Sequence, residues 1–349
     1  MVSLLHARTK KATEHTLAVR SMARVYATGA RSSSNTPASG GRHVRLVCRV
    51  LLRVHTALLL VQILFGLWPV AGSAVMQQMS PAALIGFRLM LGAPLLALAA
   101  GLFWQRPPPL GDLARLAVLG ALGISANQLL FAEGLYRAGP INASLSILLM
   151  PALTLVLTSA LGIERPGATR WLGIALSFAG AALLLRIERF DLGDRTTVGN
   201  LMLLANISAY TVYIVAARPV LARLGSLRTM AWVFVFGALE AAPLTLPPMT
   251  RVAWLGLGPA THGSLAFILF GATIGTYLLN AYALRRVESS VVAVYVYVQP
   301  VIATLAAWHW LGQGPTLRTL VAAVVIVVGV ALSSDLLAGL RKTRASVSG

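Results

Sequence analysis

The chain holds a single cysteine, Cys48, among 349 residues, so neither an intrachain disulfide nor a thiolate metal cluster can form. Charge is scarce as well. Only 11% of residues are Asp, Glu, Lys or Arg, whereas a soluble domain carries roughly 25% to face water. The scarcest charge is negative, with 10 acids against 29 basic residues. No GxxxxGK[ST] run is present, which excludes a P-loop ATP motor within the chain. The six histidines are scattered without metal-ligand spacing. Neither a filter loop nor a ring of charges argues for an ion channel. For an intramembrane enzyme only Ser125 and His309 come into question, and a nucleophile and base without a third group do not make a catalytic set. We therefore read no enzyme, no cofactor and no metal. The formal charge of +19 does not indicate a nucleic-acid partner, which would need Lys and Arg gathered on one folded face. Ten of the basic residues fall in residues 1–53 and nearly all the others in short gaps between apolar runs.

What is abundant is apolar surface: 57% of residues, with a mean hydropathy of +0.77. A helix needs about 20 residues to cross the hydrocarbon core of a bilayer. Apolar runs of that order occur at 56–76, 81–101, 113–135, 142–161, 169–186, 197–217, 229–247, 263–284, 289–311 and 317–337. Membrane β-strands would instead be short and alternating. The fold class is thus an all-α membrane protein with ten transmembrane helices, its partner the lipid bilayer. With the N-terminus inside, 22 basic residues fall inside and 6 outside, and Arg88 lies within a span. By the positive-inside rule both termini are cytoplasmic, which places the chain in a plasma membrane of bacterial inner-membrane type. Residues 1–53 are basic, and their Arg31–Gly41 stretch of Ser, Gly and Pro cannot bury a core. Three readings of this segment stand: a cytoplasmic tail, an over-extended start, or a transit peptide directing the chain to an organelle membrane. Residues 338–349 read as a short basic cytoplasmic tail.

The two halves repeat. An offset of 149 takes Pro94 to Pro243, Pro151 to Pro300, Pro166 to Pro315 and Gly180 to Gly329. Each unit, 56–186 and 197–337, holds five spans, so the second enters the membrane in the opposite sense. Inverted-topology repeats are a construction of secondary transporters, which bind substrate near the midplane between the halves.

Three stretches carry a family likeness: PAALIGFRLMLGAPLLAL from Pro81, INASLSILLMPALTLVLTSALGIERP from Ile141, and SSVVAVYVYVQPVIATLAAWHWLGQGP from Ser289. The chain resembles the EamA-like branch of the drug/metabolite transporter superfamily across roughly residues 56–337. The resemblance implies a small-molecule substrate, an amino acid or related compound, moved by alternating access with a bias toward export. It also implies that the polar helices surround a central cavity. One departure is that the family's acid after the proline helix is Glu164 in the first half but Gln313 in the second.

Uncharged polar and aromatic residues gather on a few spans and are the candidate substrate contacts: Trp68, Asn127, Gln128, Asn206, Tyr210, Tyr277, Asn280, Tyr295 and Gln299. Tyr213 and Tyr297 belong to the same set of polar aromatics. Tyr295 and Tyr297, two apart, fall on different helix faces. The alternatives for these residues are an interfacial tyrosine belt and amides that join helices. Pro151 and Pro300 lie mid-span, as paired hinges or as static kinks. Arg88, Glu133 and Glu240 are the charges within spans, where ions face a cavity or a partner; Arg88 and Glu133 are expected to pair or to share an outer vestibule. The spacings Gly271–Gly275 and Gly173–Ser177 predict close helix packing. Two alternatives remain, a nucleotide-sugar or sugar-phosphate carrier and a non-transporting receptor or scaffold. A homodimer is compatible with the sequence and not required by it.

Overall fold

The structure is a computed structural model and describes residues 40–185, 191–284 and 295–333. Residues 1–53 form a unit separate from Val54–Gly349, and the packing described here is within the latter. Expectations for the N-terminal tail up to residue 39, the side chain of Cys48, the start of the ninth span and the C-terminal tail fall outside the described residues.

All regular structure among the described residues is helical. The first half comprises α1 (Gly40–Val75), α2 (Pro81–Ala99), α3 (Leu110–Gly120), a π-helical turn (Ala121–Ala126), α4 (Asn127–Ser146), a 3₁₀ turn (Ile147–Leu149), α5 (Met150–Ala160) and α6 (Ala168–Leu185). The second comprises α7 (Arg195–Leu224), α8 (Ser226–Thr250), α9 (Pro259–Ala266), a π-helical run (Phe267–Gly275), α10 (Thr276–Leu284), a 3₁₀ turn (Val296–Val298), α11 (Gln299–Leu311) and α12 (Leu317–Ser333). The starts of α3, α4, the first 3₁₀ turn, α5 and α6 each recur 149 residues later as the starts of α9, α10, the second 3₁₀ turn, α11 and α12. The offset legible in a few prolines is therefore a repeat of backbone conformation, extending to the ends of the π-helical stretches and to the 3₁₀ turns before α5 and α11, while two further 3₁₀ turns, Leu102–Trp104 and Trp254–Gly256, fall outside the offset.

Local chemistry sets the ends. The Ser80 hydroxyl accepts from the Ala83 amide at 3.2 Å, with Pro81 in the first turn of α2, where its missing N–H costs nothing. The Asp194 carboxylate accepts from the Thr197 amide at 2.7 Å and starts α7. Gly225, at φ 80°, separates α7 from α8 with a backbone that an L side chain adopts only under strain.

Six helical runs are long and apolar enough to cross a membrane: Leu52–Val75, Pro81–Ala99, Leu110–Ala160, Arg195–Leu224, Ser226–Thr250 and Pro259–Ala283. Two shorter apolar helices, Ala168–Leu184 and Leu317–Ser333, add to these. The third run has 51 residues, about 76 Å at 1.5 Å per residue, far more than a hydrocarbon core of about 30 Å. Its helical course is broken at Gly139, whose φ of 84° and ψ of 168° are non-helical, immediately before Pro140. Large apolar side chains such as Leu239, Leu244, Phe270, Leu305 and Val324 face outward, an arrangement that lipid tolerates and water does not.

Counterpart helices pack against each other, and they run antiparallel. On α6 and α12, Gly173 lies against Gly329 and Ser333, while Gly180 lies against Ala322 and Ile326. A β-carbon added at Gly329 would sit 2.5 Å from the Ser177 amide nitrogen, and one at Gly180 would sit 2.6 Å from Ile326 Cγ1. The Gly173–Ser177 spacing thus marks a close seam, as small-residue spacing predicts. Gly271 and Gly275 lie instead in the π-helical run and approach Leu64 of α1. On α2 and α8, Gly86 meets Thr245 and Met249 whereas Gly92 meets Phe234.

Candidate functional site

Where α1, α4, α7, α10 and the two 3₁₀ turns converge, they enclose a cavity of about 240 Å³. Five pairs of counterpart positions contribute to its wall. Val61 and Tyr210, Gln128 and Tyr277, Phe131 and Asn280, Ile147 and Val296, and Met150 and Gln299 all line it, each pair 149 residues apart. A space lined by both copies of the same positions lies on the pseudo-symmetry axis of the repeat.

Of the expected contacts, Trp68, Asn127, Gln128, Asn206, Tyr210, Tyr277, Asn280 and Gln299 are in this wall. Several are already tied to one another. Gln299 Nε2 donates to Gln62 Oε1 at 2.6 Å, Asn206 Nδ2 donates to the Asn127 carbonyl at 2.6 Å, and Gln128 Nε2 donates to Asn127 Oδ1 at 3.4 Å. Trp68 stacks on Phe131 with centroids 6.0 Å apart. Gln62, Phe65 and Phe131 also line the cavity and were not expected. Gln62 had a signal, a lone amide in an apolar run; the phenylalanines had none, because a cavity-facing and a lipid-facing phenylalanine read alike.

Tyr295 is not among the lining residues. Its hydroxyl and His55 Nδ1 are hydrogen-bonded at 2.6 Å, and it packs with Val54, Leu58 and Ala283. Its counterpart Ser146 does line the cavity, so the two repeats differ at this position. In a 3₁₀ turn, at three residues per turn, positions i and i+3 eclipse. Hence Val296 shares the cavity face with Gln299, and Ile147 shares it with Met150. Tyr213 and Tyr297 also lie elsewhere: the Tyr213 hydroxyl meets Met230 Sδ at 2.9 Å, and Tyr297 packs against the cluster of Leu145, Leu148 and Val330.

Arg88 and Glu133 do not pair. Glu133 is bridged to Arg137 one turn on at 3.4 Å, partly exposed. Five residues beyond Gln128, it is rotated about 140° from the cavity face of α4. Arg88 is 2% exposed. Its Nε donates to Thr273 Oγ1 at 2.7 Å, its Nη1 to Gln128 Oε1 at 2.5 Å and its Nη2 to the Ala272 carbonyl at 3.3 Å. Its Cζ stands 4.7 Å from the centroid of the Trp68 ring, within cation–π range. The π-helical run makes the carbonyl contact available: the Thr276 amide turns to the Gly271 carbonyl, so the Ala272 carbonyl is left for Arg88 and for the Thr276 hydroxyl. Among the described residues Arg88 is the sole charged side chain in the wall, and it lies within a candidate span, where an ion at the centre costs about 2.5–3.5 kcal/mol to insert. Glu240, on α8, is partly buried outside the cavity, and its Oε2 has no hydrogen-bond partner.

Pro151 and Pro300 occupy the first turns of α5 and α11, each following a 3₁₀ turn. Their missing N–H groups fall where the ladder is already interrupted, so the bend is shared between proline and turn.

A helical bundle of outward apolar surface, built from a repeated unit around a polar internal cavity, defines a membrane transport protein. Both halves match the model of the EamA-like transporter family, over residues 52–186 and 197–335, and the chain belongs to that family. It is 28% identical to "Uncharacterized transporter YdfC" of Bacillus subtilis over 77% of this chain and 87% of that one. It is 29% identical to "Probable terminal-alkyne amino-acid exporter" of Streptantibioticus cattleyicolor over 75% of this chain and 86% of that one. A solved crystal structure matches with a TM-score of 0.55 at 22% identity, covering 83% of this chain and 98% of its own; that likeness is one of fold. The chain is therefore an integral membrane transporter acting on small molecules, and the names of its family and relatives are those of transporters, not enzymes.

Proposed function

We propose that the protein is a secondary transporter that exports amino acids or related small metabolites across a plasma membrane by alternating access. The observation that carries this is that both halves contribute counterpart residues to one cavity wall, since two equivalent halves around one site can present it to either side in turn. Its volume of about 240 Å³ is below the roughly 300–1,000 Å³ of pockets that bury drug-sized ligands, which suits a small metabolite. One relative's name, an amino-acid exporter, supports both the class and the direction.

Ten crossings in two five-helix units, 56–186 and 197–337, accord with the break in the helix at Gly139 and the short apolar helices α6 and α12. The antiparallel packing of counterpart helices is what inversion of the second unit requires. The excess of basic residues in the gaps assigned inside supports cytoplasmic termini. Pro151 and Pro300 are the paired bends about which α5 and α11 would swing. A nucleotide-sugar or sugar-phosphate carrier is less well supported, because phosphate recognition favours several cations and among the described residues the wall offers Arg88 alone.

The test is flux of labelled amino acids into and out of proteoliposomes holding the full-length protein. Saturable exchange above that of empty vesicles is expected. A protein that binds solutes yet moves none would be a receptor, and the transport reading would fall.

A further inference from the structure

Arg88 is a cation without an anion. It is buried, it lines the cavity, and no carboxylate among the described residues pairs with it. Its three protein acceptors are a hydroxyl, a side-chain amide and a peptide carbonyl, all neutral. These bonds use the Nε hydrogen and one hydrogen on each terminal nitrogen, leaving a second hydrogen on each with no acceptor among the described residues. The guanidinium is also held rigidly, with Thr273 and Ala272 on one side, Gln128 on another and Trp68 facing the cation. A planar fork with one free donor on each arm is the complement of a carboxylate, which accepts two parallel N–H bonds. Around it the wall divides into an apolar part (Phe65, Phe131, Ile207) and uncharged acceptors (Asn206, Asn280).

Building on the transport reading above, we propose that Arg88 is the carboxylate anchor of the cavity and that the substrate class is a small organic acid or amino acid with a single carboxylate and an apolar side chain. Binding would supply the missing negative charge, so the carboxylate is recognised by neutralising a cation already desolvated in the wall. Substrates lacking that charge leave Arg88 uncompensated and are rejected. Residue 237, the position equivalent to 88, is a glycine packed against Ile124, so the anchor is present in one repeat only and fixes which end of the substrate faces which half.

The experiment uses proteoliposomes of the full-length protein and a panel in matched sets: leucine, phenylalanine and methionine; their amides; the amines isoamylamine and phenethylamine; and isovalerate. Uptake of at least one carboxylate compound, with its amide at least tenfold slower, is the expected result. In Arg88→Gln the acid-to-amide ratio should collapse toward one, a change that mere loss of structure would not produce. Arg88→Lys should keep the ratio while raising KM severalfold, since a point charge replaces the fork. Should Arg88→Gln fail to fold, the wild-type ratio and Arg88→Lys still decide. Equal transport of acid and amide, or transport of the amines alone, overturns the anchor and leaves the transporter standing. Transport of no member of the panel overturns the amino-acid reading and the anchor with it.

Discussion

Position 88 is an arginine and position 237, its equivalent, a glycine; Gln128 answers to Tyr277, Phe131 to Asn280 and Glu133 to Tyr282. Yet the backbones of the two halves keep step, down to 3₁₀ turns and π-helical segments at matching places. The first half brings the charge and the aromatics without a hydroxyl, Phe65, Trp68 and Phe131, while the second brings the phenols and Asn280. What has been kept between the repeats is therefore the path of the chain and the small residues at its seams, and what has diverged is the chemistry of the wall. Under the proposed transport reading, symmetry would serve the movement and asymmetry the recognition of an unsymmetrical solute.

The widest test of this contrast is at the seam. Gly180→Leu and Gly329→Leu each push a side chain into backbone of the opposite half. Each should destabilise by about 1–3 kcal/mol or more, seen as loss of monodisperse protein and a lower Tm in detergent. Unequal effects at these equivalent positions would break the symmetry argument. Next come the paired prolines. Pro151→Ala and Pro300→Ala should each slow exchange severalfold while KM stays within about twofold, if both bends move during transport; unchanged rates would make them static kinks. Tyr295→Phe removes the bond to His55 and should cost about 0.5–1.5 kcal/mol in thermal unfolding. Because Tyr295 lies off the cavity, KM should hold. Glu133→Gln should do least. It loses one partly exposed pair worth about 0.3–0.5 kcal/mol, and substrate selectivity should be untouched because Arg88 does not depend on it.

Much of this was legible without coordinates, for stated reasons. The spans follow from hydropathy because lipid demands long apolar helices, and amides such as Asn127, Asn206 and Asn280 stand out against so apolar a background. Arg88 was singled out as an ion needing company, but its company was not: Thr273 lies in the opposite half, and nothing in the residue order signals that the π-helical run frees the Ala272 carbonyl. Tyr295 carries the same phenol as Tyr210 and Tyr277, and nothing in the residue order tells a cavity-lining phenol from one that bonds His55. One reason that hydropathy and continuous helix length give different counts is that Leu110–Ala160 runs on as one helical stretch across the kink at Gly139, whose φ is positive.

The glycine contacts between α6 and α12 have a mechanical corollary. Where two backbones touch with no side chain between them, neither can slide or separate without opening a void along its whole length. The halves can tilt about that line far more readily than they can part along it. Under the proposed alternation, the strip from Gly173 to Gly180 against Ala322 to Ser333 is the fulcrum, and the excursions grow with distance from it, toward the helices that hold the solute.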